Sequence, residues 1–377
     1  MLSPSDEREL AEAVSGATGP LAVRGGGTRR VGHPVDGDDL TVAGLSGVTF
    51  YEPGALTLVA RAGTPLAQVE TMLAAEGQML AFEPMDHRKL LGTSGEPTIG
   101  GTVAANASGP RRVRAGACRD FLLGVRFVDG RGRVIKNGGR VMKNVTGYDL
   151  VRLMAGSRGT LGVLSEVCLK VLPRPESTAV LLLAGLDVEV AVRAMSASLN
   201  SPYEVSGAAH VPVGLDGDPV TMIRLEGFEA SVAYRVERLR DRLAEFGPAG
   251  IERRTEGPES ATAGWAWIRD VEAHGGTGED VWRFSIPPRD APALVESLGD
   301  ARVVLDWGGG LVWAAVEQGR DARRSLSCGH ATISRADDET RNRLGVFQPE
   351  AEPLASFAEG LRRKFDPEGI LNPGLMG

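Results

Sequence analysis

The chain is poor in the residues that staple, span or chelate. Its three cysteines, Cys118, Cys168 and Cys328, stand far apart in 377 residues. An odd number with no C-x-x-C excludes a disulfide framework and leaves no sequence basis for a resident iron–sulfur cluster. The five histidines are His33, His87, His210, His274 and His330. They form no H-x-H or H-x-x-x-H pair, so a metal-assisted base is not expected. No apolar run reaches about 18 residues, so no membrane span is expected. The polar, acidic start Met1–Glu9 does not read as a signal peptide. Forty-nine acids against 42 bases leave a charge of −7, which argues against general nucleic-acid binding. Reduced thiols and a cytoplasmic location follow.

Glycine is the residue in surplus, at 50 positions. Three stretches concentrate it beside apolar, strand-like runs: Arg24-Gly25-Gly26-Gly27-Thr28, Thr98-Ile99-Gly100-Gly101 through Ala104, Asn106, Ser108 and Gly109, and Gly156-Ser157-Arg158-Gly159-Thr160-Leu161-Gly162-Val163. Glycine lets backbone approach a ligand and reach positive φ, and successive free amides make anion-binding concavities. A single bend of this kind is an ordinary turn. Three of them suit one long, phosphorylated cofactor. The spacing excludes two common alternatives, because Gly25 and Gly27 are followed by Thr28-Arg29-Arg30. That is neither a G-x-G-x-x-G fingerprint nor a P-loop.

The length predicts about two domains. Apolar and capping signals predict helices at 4–14, 65–76 after a Thr64 cap with Pro65 first, and 103–107, with a further helix within 143–155. Strands are predicted at 21–23, 57–61, 121–128, 133–135 and 161–172. Pro173-Arg174-Pro175 marks a boundary. Beyond it, strands and helices alternate twice: 180–183, 188–199, 205–211, 220–225 and 230–246, then 281–286, 291–298, 302–306, 311–316 and 320–327. This pattern predicts an antiparallel sheet covered by helices and built as two similar halves. The stretch 255–280 reads as a mobile loop, and 354–365 as a last helix.

In these motifs the chain resembles the vanillyl-alcohol-oxidase, or PCMH-type, FAD-binding family. The matching pieces run in family order: Val23–Thr28, Ala62-Gly63-Thr64-Pro65-Leu66, Pro84, Thr98–Gly101, Gly159–Val163 and Phe365–Gly374. Within the family it is most similar to the smaller flavin-binding subunits of bacterial glycolate oxidases. The segments that say so are Ala107–Arg112, Arg119-Asp120-Phe121, Val141–Leu150 and Gly329-His330-Ala331-Thr332. The resemblance is strong at both ends and weak between about 176 and 322. It implies an α+β fold, with a two-part PCMH-type FAD-binding domain at 1–175, an antiparallel α+β cap at 176–335, and a segment at 336–377 that returns to the FAD domain.

The resemblance also assigns residues. Arg24, Gly25, Gly26, Gly27 and Thr28 would wrap the FAD diphosphate. Gly100, Gly101, Ser108 and Gly109 would set amides against phosphate or flavin edge atoms, with Pro84, Thr98, Ile99, Ala104, Arg119 and Asp120 in the same lining. Asn106 would either pin its turn or donate to an oxygen. Lys143, Asp149, Gly159, Gly162 and Val163 would flank adenine and ribose, Asp149 by anchoring its loop and Val163 through its backbone. Arg111, Arg112, Arg114 and Arg119 read either as a solvated basic face or as countercharge for phosphate or an acidic partner. Relatives that bind flavin covalently use a histidine where this chain has Thr28, and some add a cysteine where it has Glu96. Non-covalent FAD is therefore expected, with His33 as the one nearby alternative.

Oxidising a 2-hydroxy acid needs a cation for the carboxylate, a base for the hydroxyl and the flavin as acceptor. In the second half, only His330 with Arg335 offers such a pair, and no metal set is present. The resemblance thus implies an FAD-binding subunit of a glycolate oxidase-like complex, working beside a larger FAD-containing catalytic subunit and an iron–sulfur subunit. The complex would act on a small 2-hydroxy acid, and this chain would meet the inner face of the membrane only through partners. A stand-alone FAD-dependent 2-hydroxy acid dehydrogenase and a flavin-free scaffold remain as alternatives. An NADPH-dependent reductase of cell-wall synthesis is disfavoured by the ending Asp366–Pro373.

Overall fold

The computed structural model describes residues 1–140, 147–214, 216–254 and 258–377. They form two compact bodies. The first contains Met1–Ser108, Gly116–Arg174 and Pro349–Gly377; the second contains Gly109–Ala115 and Pro175–Gln348. The second body therefore runs past the expected 335, because strand His330–Arg335 and helix Asp338–Leu344 belong to it. It also takes in seven residues from the middle of the basic cluster.

The first body is built on an antiparallel five-stranded sheet in the order Val48–Glu52, Thr57–Arg61, Val163–Lys170, Leu122–Val128, Val134–Gly138. Val163–Lys170 is central and is buried along most of its length on both faces, which is why its sequence is apolar with only scattered polar positions. A small parallel pair, Leu21–Arg24 with Asp38–Thr41, carries the first glycine turn. The chain end returns to it: Leu21 donates to the Ile370 carbonyl at 2.7 Å, and Asn372 donates to the Leu21 carbonyl at 3.0 Å.

Some helix starts differ from the sequence reading. The first helix is Glu7–Ser15, because the Asp6 carboxylate accepts the Glu9 amide and so caps it. Helix Leu66–Ala75 follows Pro65 without a side-chain cap. The Thr64 hydroxyl instead donates to the Arg61 carbonyl at 2.7 Å. The expected helix at 103–107 is Ile99–Ala104, set back to its Thr98 cap.

The second body is an eight-stranded antiparallel sheet in the order Ala249–Arg254, Ser177–Ala184, Val220–Gly227, Val205–Val211, Arg302–Asp306, Leu311–Val316, Asp280–Ser285, His330–Arg335. The order shows the two halves. Each runs fourth strand, first, third, second, and the halves meet second strand to second strand at His210 and Leu305. Helices Val188–Leu199 and Ala291–Leu298 take equivalent places. The halves diverge at the last crossover. The first half uses helix Glu229–Arg242, while the second has only a short 3-10 turn at Ala322–Ser325 in place of the helix expected at 320–327. The expected loop at 255–280 contains helix Pro258–Arg269, whose Trp265 is 1% exposed. The Arg224 guanidinium covers the Trp265 ring at 4.5 Å. Among the described residues no helix is long and apolar enough to cross a membrane.

Candidate functional site

The first glycine turn leaves strand Leu21–Arg24 and runs main chain against main chain along 95–98. A Cβ on Gly26 would stand 1.6 Å from the Glu96 carbonyl oxygen, and one on Gly95 would stand 1.7 Å from that of Gly26. Gly26 is therefore required for a chain-on-chain approach before any ligand is considered. At Gly27, φ +72°, a Cβ would meet only Arg30 Nη2, at 3.8 Å. Among the described residues, the amides of Gly25, Gly26, Gly27 and Thr28 donate to no acceptor. Thr28 itself is buried, and its carbonyl accepts from the Thr93 hydroxyl at 3.2 Å. Consecutive amides without acceptors are the donor set that an anion needs.

The second stretch is arranged differently from expectation. The Gly100 amide donates to the Ala62 carbonyl at 2.8 Å, and the Gly101 amide to the Thr98 hydroxyl at 3.2 Å. The Ile99 amide is held by the Thr64 carbonyl at 2.9 Å. The amides expected to face phosphate are thus consumed inside the protein, as satisfying a buried backbone requires. Of the two roles weighed for Asn106, the structure has it pinning the turn: at φ +47° its Oδ1 accepts the Arg119 amide at 3.0 Å. Ser108 Oγ accepts the Cys118 amide at 3.0 Å. Asp120 accepts the Ala117 amide at 2.9 Å. Gly109 belongs to the second body, where its carbonyl accepts Trp307 Nε1 at 3.1 Å.

The basic cluster divides: Arg111 and Arg112 are engaged within the second body, while Arg114 and Arg119 stay half-exposed. Arg111 makes a bidentate pair with Glu226, Nε to Oε2 at 2.9 Å and Nη2 to Oε1 at 2.7 Å, with both partners mostly buried. Arg112 stands over the Trp307 ring at 4.5 Å, and Arg114 pairs with Glu204. Arg119 remains half-exposed beside Asp120. Burial raises the Glu226 carboxyl, but Arg224 and Arg111 outweigh it and hold its pKa down to about 2.

The third stretch lies within the first body. The Arg158 amide donates to the Ala104 carbonyl at 2.9 Å. Gly159 takes φ +76° beside Asn372, and a Cβ on Gly162 would stand 2.6 Å from the Phe127 ring. Val163 opens the central strand in register with Val128. Ser157 Oγ is buried and has no hydrogen-bond partner among the described residues. Asp149 accepts the Arg152 amide at 3.1 Å and caps helix Leu150–Met154. Pro84 is buried after Glu83, whose φ is +51°. Lys143 lies outside the described residues.

Four residues that the sequence reading did not single out gather here. Arg29 Nη2 and His87 Nδ1 both donate to the Met85 carbonyl, each at 3.2 Å. Arg158 Nη1 donates to the Val31 carbonyl at 3.3 Å. Asn372 Oδ1 accepts the Val23 amide at 2.7 Å while its Nδ2 donates to the Arg158 carbonyl at 2.8 Å. Burial and the neighbouring Arg29 lower the His87 pKa to about 3. The same two causes lower that of Arg158 to about 10. Arg29 had a legible signal in its place next to the glycine run, and Asn372 lay in a quoted motif. Arg158 lay inside the third glycine stretch, and His87 had no such signal.

His330 and Arg335 do not form a pair. They stand at the two ends of the same strand, roughly 16 Å apart. Arg335 is engaged by the His274 carbonyl at 2.7 Å and the Thr277 hydroxyl at 2.5 Å, while His330 sits exposed in register with Ser285. Among the described residues no group of three or more His, Cys, Asp or Glu is placed to hold a metal. The acceptor-free amides at 25–28 are a donor set that fits an anion such as a dinucleotide diphosphate.

Comparison with known proteins agrees. Residues 1–138 match the FAD binding domain family. Glycolate oxidase subunit GlcE of Escherichia coli is 36% identical over 376 residues, covering 98% of this chain and 95% of that protein. Glycolate oxidase subunit GlcD of Bacillus subtilis is 29% identical over 55% of this chain and 42% of its own length. A solved alkyldihydroxyacetonephosphate synthase superposes with a TM-score of 0.70 at 16% identity, over 98% of this chain and 76% of the other. This last likeness concerns the fold alone.

Proposed function

The chain belongs to the PCMH-type FAD-binding oxidoreductase family that includes glycolate oxidase subunit GlcE, and from that premise we propose that it is the FAD-holding subunit of a glycolate oxidase-like complex. FAD is its cofactor. The observation that carries the site assignment is the run of four acceptor-free amides at Gly25–Thr28. These amides would hold the diphosphate, with Arg29 and Arg158 beside them. Bound FAD supplies reversible acceptance of electrons taken from a 2-hydroxy acid.

The chain's own residues orient and enclose the cofactor. Gly25, Gly26 and Gly95 let two loops close on each other, and Asn372 ties the first strand to the third glycine turn. Thr28 is a buried hydroxyl that cannot form the bond a histidine forms at this position, so the cofactor is held without a covalent link. A larger FAD-containing subunit and an iron–sulfur subunit would complete the complex. The separation of His330 from Arg335 favours this reading over a stand-alone dehydrogenase.

Purification of the tagged chain from its source tests the proposal. Flavin absorption that leaves with the supernatant after acid precipitation, together with copurifying flavin and iron–sulfur polypeptides, is expected. Flavin retained in the pellet refutes the non-covalent link. A purified single chain that bleaches its flavin with glycolate or D-lactate refutes the purely supporting role. The absence of flavin bands under every preparation supports the scaffold alternative instead.

A further inference from the structure

We propose that the exposed stripe of helix Leu354–Phe365 is a self-association surface, on which a second copy of this chain packs with its own helix antiparallel. The proposal goes beyond the FAD reading and does not depend on it.

The spacing of the sequence defines the surface. Leu354, Phe357, Leu361 and Lys364 fall at i, i+3, i+7 and i+10, which sets them on one face of a helix. Amphipathic helices of globular proteins turn such a face inward. Here it faces out: Leu354 is 62% exposed, Phe357 66% and Leu361 39%. None of the twelve helix residues is buried. The helix is held at its C-terminal end, where Phe365 meets the Phe127 ring at 6.1 Å and Arg362 Nη1 donates to the Gly377 carbonyl at 3.4 Å. Single exposed apolar side chains are ordinary, but three in helical register are the pattern of a docking surface. Among the described residues no other helix exposes three large apolar side chains.

Charge identifies the occupant. Glu350 and Glu352 stand exposed just before the stripe, and Arg363 and Lys364 stand exposed at its far end. Arg363 is shared with Glu359 at 3.4 Å, whereas Glu350, Glu352 and Lys364 enter no ion pair among the described residues. The order along the surface is therefore acid, apolar, base. Turned end for end, the same surface reads base, apolar, acid. Two copies packed antiparallel thus set the acids of each beside Lys364 of the other. They bury Phe357 near the two-fold axis, because Phe357 lies at the middle of the stripe. Such a contact is isologous and closes at two copies. An anionic membrane is a poorer match: it would attract the basic end and repel the acidic one, and the whole chain carries −7. One stripe of about 15 Å per copy is a small contact, so the dimer belongs to the weak, concentration-dependent class.

The test follows the full-length chain by analytical ultracentrifugation across the micromolar range. The variants are Phe357→Ser, Lys364→Glu, and Glu350→Lys combined with Glu352→Lys. All these positions are exposed, so melting temperatures at high dilution should match wild type. Wild type is expected to pass from monomer to dimer and no further. Phe357→Ser should weaken the dimer about thirtyfold or more. Each charge variant alone should weaken it about threefold to tenfold. An equal mixture of the two charge variants should recover most of the wild-type affinity, since opposite signs then meet at both ends.

A wild type that stays monomeric at every concentration overturns the proposal. So does a dimer indifferent to Phe357→Ser, which places the contact elsewhere. Charge variants that each weaken the dimer but do not recover on mixing overturn the antiparallel arrangement. Wild type that sediments with phosphatidylglycerol vesicles in place of dimerising, and loses this in Phe357→Ser, assigns the face to a membrane surface and overturns the second copy. The FAD assignment is read separately, by flavin titration of Phe357→Ser, whose affinity should equal that of wild type.

Discussion

Asn372 reaches across 349 residues of sequence to Val23, accepting its amide at 2.7 Å. The same side chain donates to the Arg158 carbonyl at 2.8 Å, so one buried amide group fixes the strand entering the first glycine turn against the third turn. Replacing it removes the hydrogen bonds to the half-buried Val23 N–H and Arg158 carbonyl. Asn372→Ala should cost about 2–3 kcal/mol of stability by this unmade-bond penalty. It should also weaken FAD, because the two glycine turns then lose their common tie. Urea unfolding and flavin titration of the same preparation check both, and unchanged affinity would separate the tie from the site.

Two neighbouring glycines should behave unequally. A Cβ on Gly26 meets the Glu96 carbonyl at 1.6 Å, whereas the atom nearest to one on Gly27 is Arg30 Nη2 at 3.8 Å. Gly26→Ala should therefore cost about 3 kcal/mol or more, in the range of overpacked cores. Gly27→Ala carries only the left-handed backbone penalty of about 1–2 kcal/mol. Soluble yield and melting temperature should rank Gly26→Ala well below Gly27→Ala.

The buried Arg111–Glu226 pair sets an acid limit for the second body. The folded pKa of Glu226, about 2, lies below its ordinary value of 4.5. A depressed carboxylate stabilises the fold above the ordinary pKa, and that contribution is lost as pH falls from about 4.5 toward about 2. Glu226→Gln should destabilise at pH 7 by about 3 kcal/mol, since Arg111 and Arg224 lose their counter-ion. It should also flatten the acid limb of the stability curve. Denaturant midpoints at pH 7 and pH 3 make the comparison.

Three histidines should add a second limb at higher pH. Burial is the first cause in each case, and it lowers His87 to about 3 and both His210 and His274 to about 4. Each is protonated more readily unfolded than folded. Stability is therefore full above the ordinary 6.5 and falls below it as pH drops toward these folded values. The slope approaches about 1.4 kcal/mol per pH unit for each histidine. His210→Gln, which removes the titrating ring beside Thr221, should reduce the slope between pH 6 and pH 4, as read from melting temperatures.

The sequence reading was most accurate where local pattern suffices. Helix Val188–Leu199 and strands Val205–Val211, Arg302–Asp306 and Leu311–Val316 stand where periodicity puts them, because each buries one face or both against a single neighbouring layer. Helix Pro258–Arg269 was missed because its segment is polar and glycine-containing. Its helical state depends on packing around Trp265, which propensity does not contain. The Arg111–Arg114 cluster was legible as charge only. Its partners Glu226, Glu204 and Trp307 lie about ninety to two hundred residues away.

The sequence by itself pointed to backbone amides at a glycine-rich turn as the anion donor set, because glycine permits close approach of main chain. It also determined the doubled strand–helix pattern of the second body, which follows from local periodicity. Tertiary structure decided which amides stay free, leaving Gly25–Thr28 open and closing Gly100 and Gly101 against Ala62 and Thr98. It also brought His87 and Arg29 to the Met85 carbonyl, and Asn372 to Val23 and Arg158. Hydrogen-bond satisfaction and charge proximity are properties of chain segments meeting in space, and no spacing along the chain encodes them.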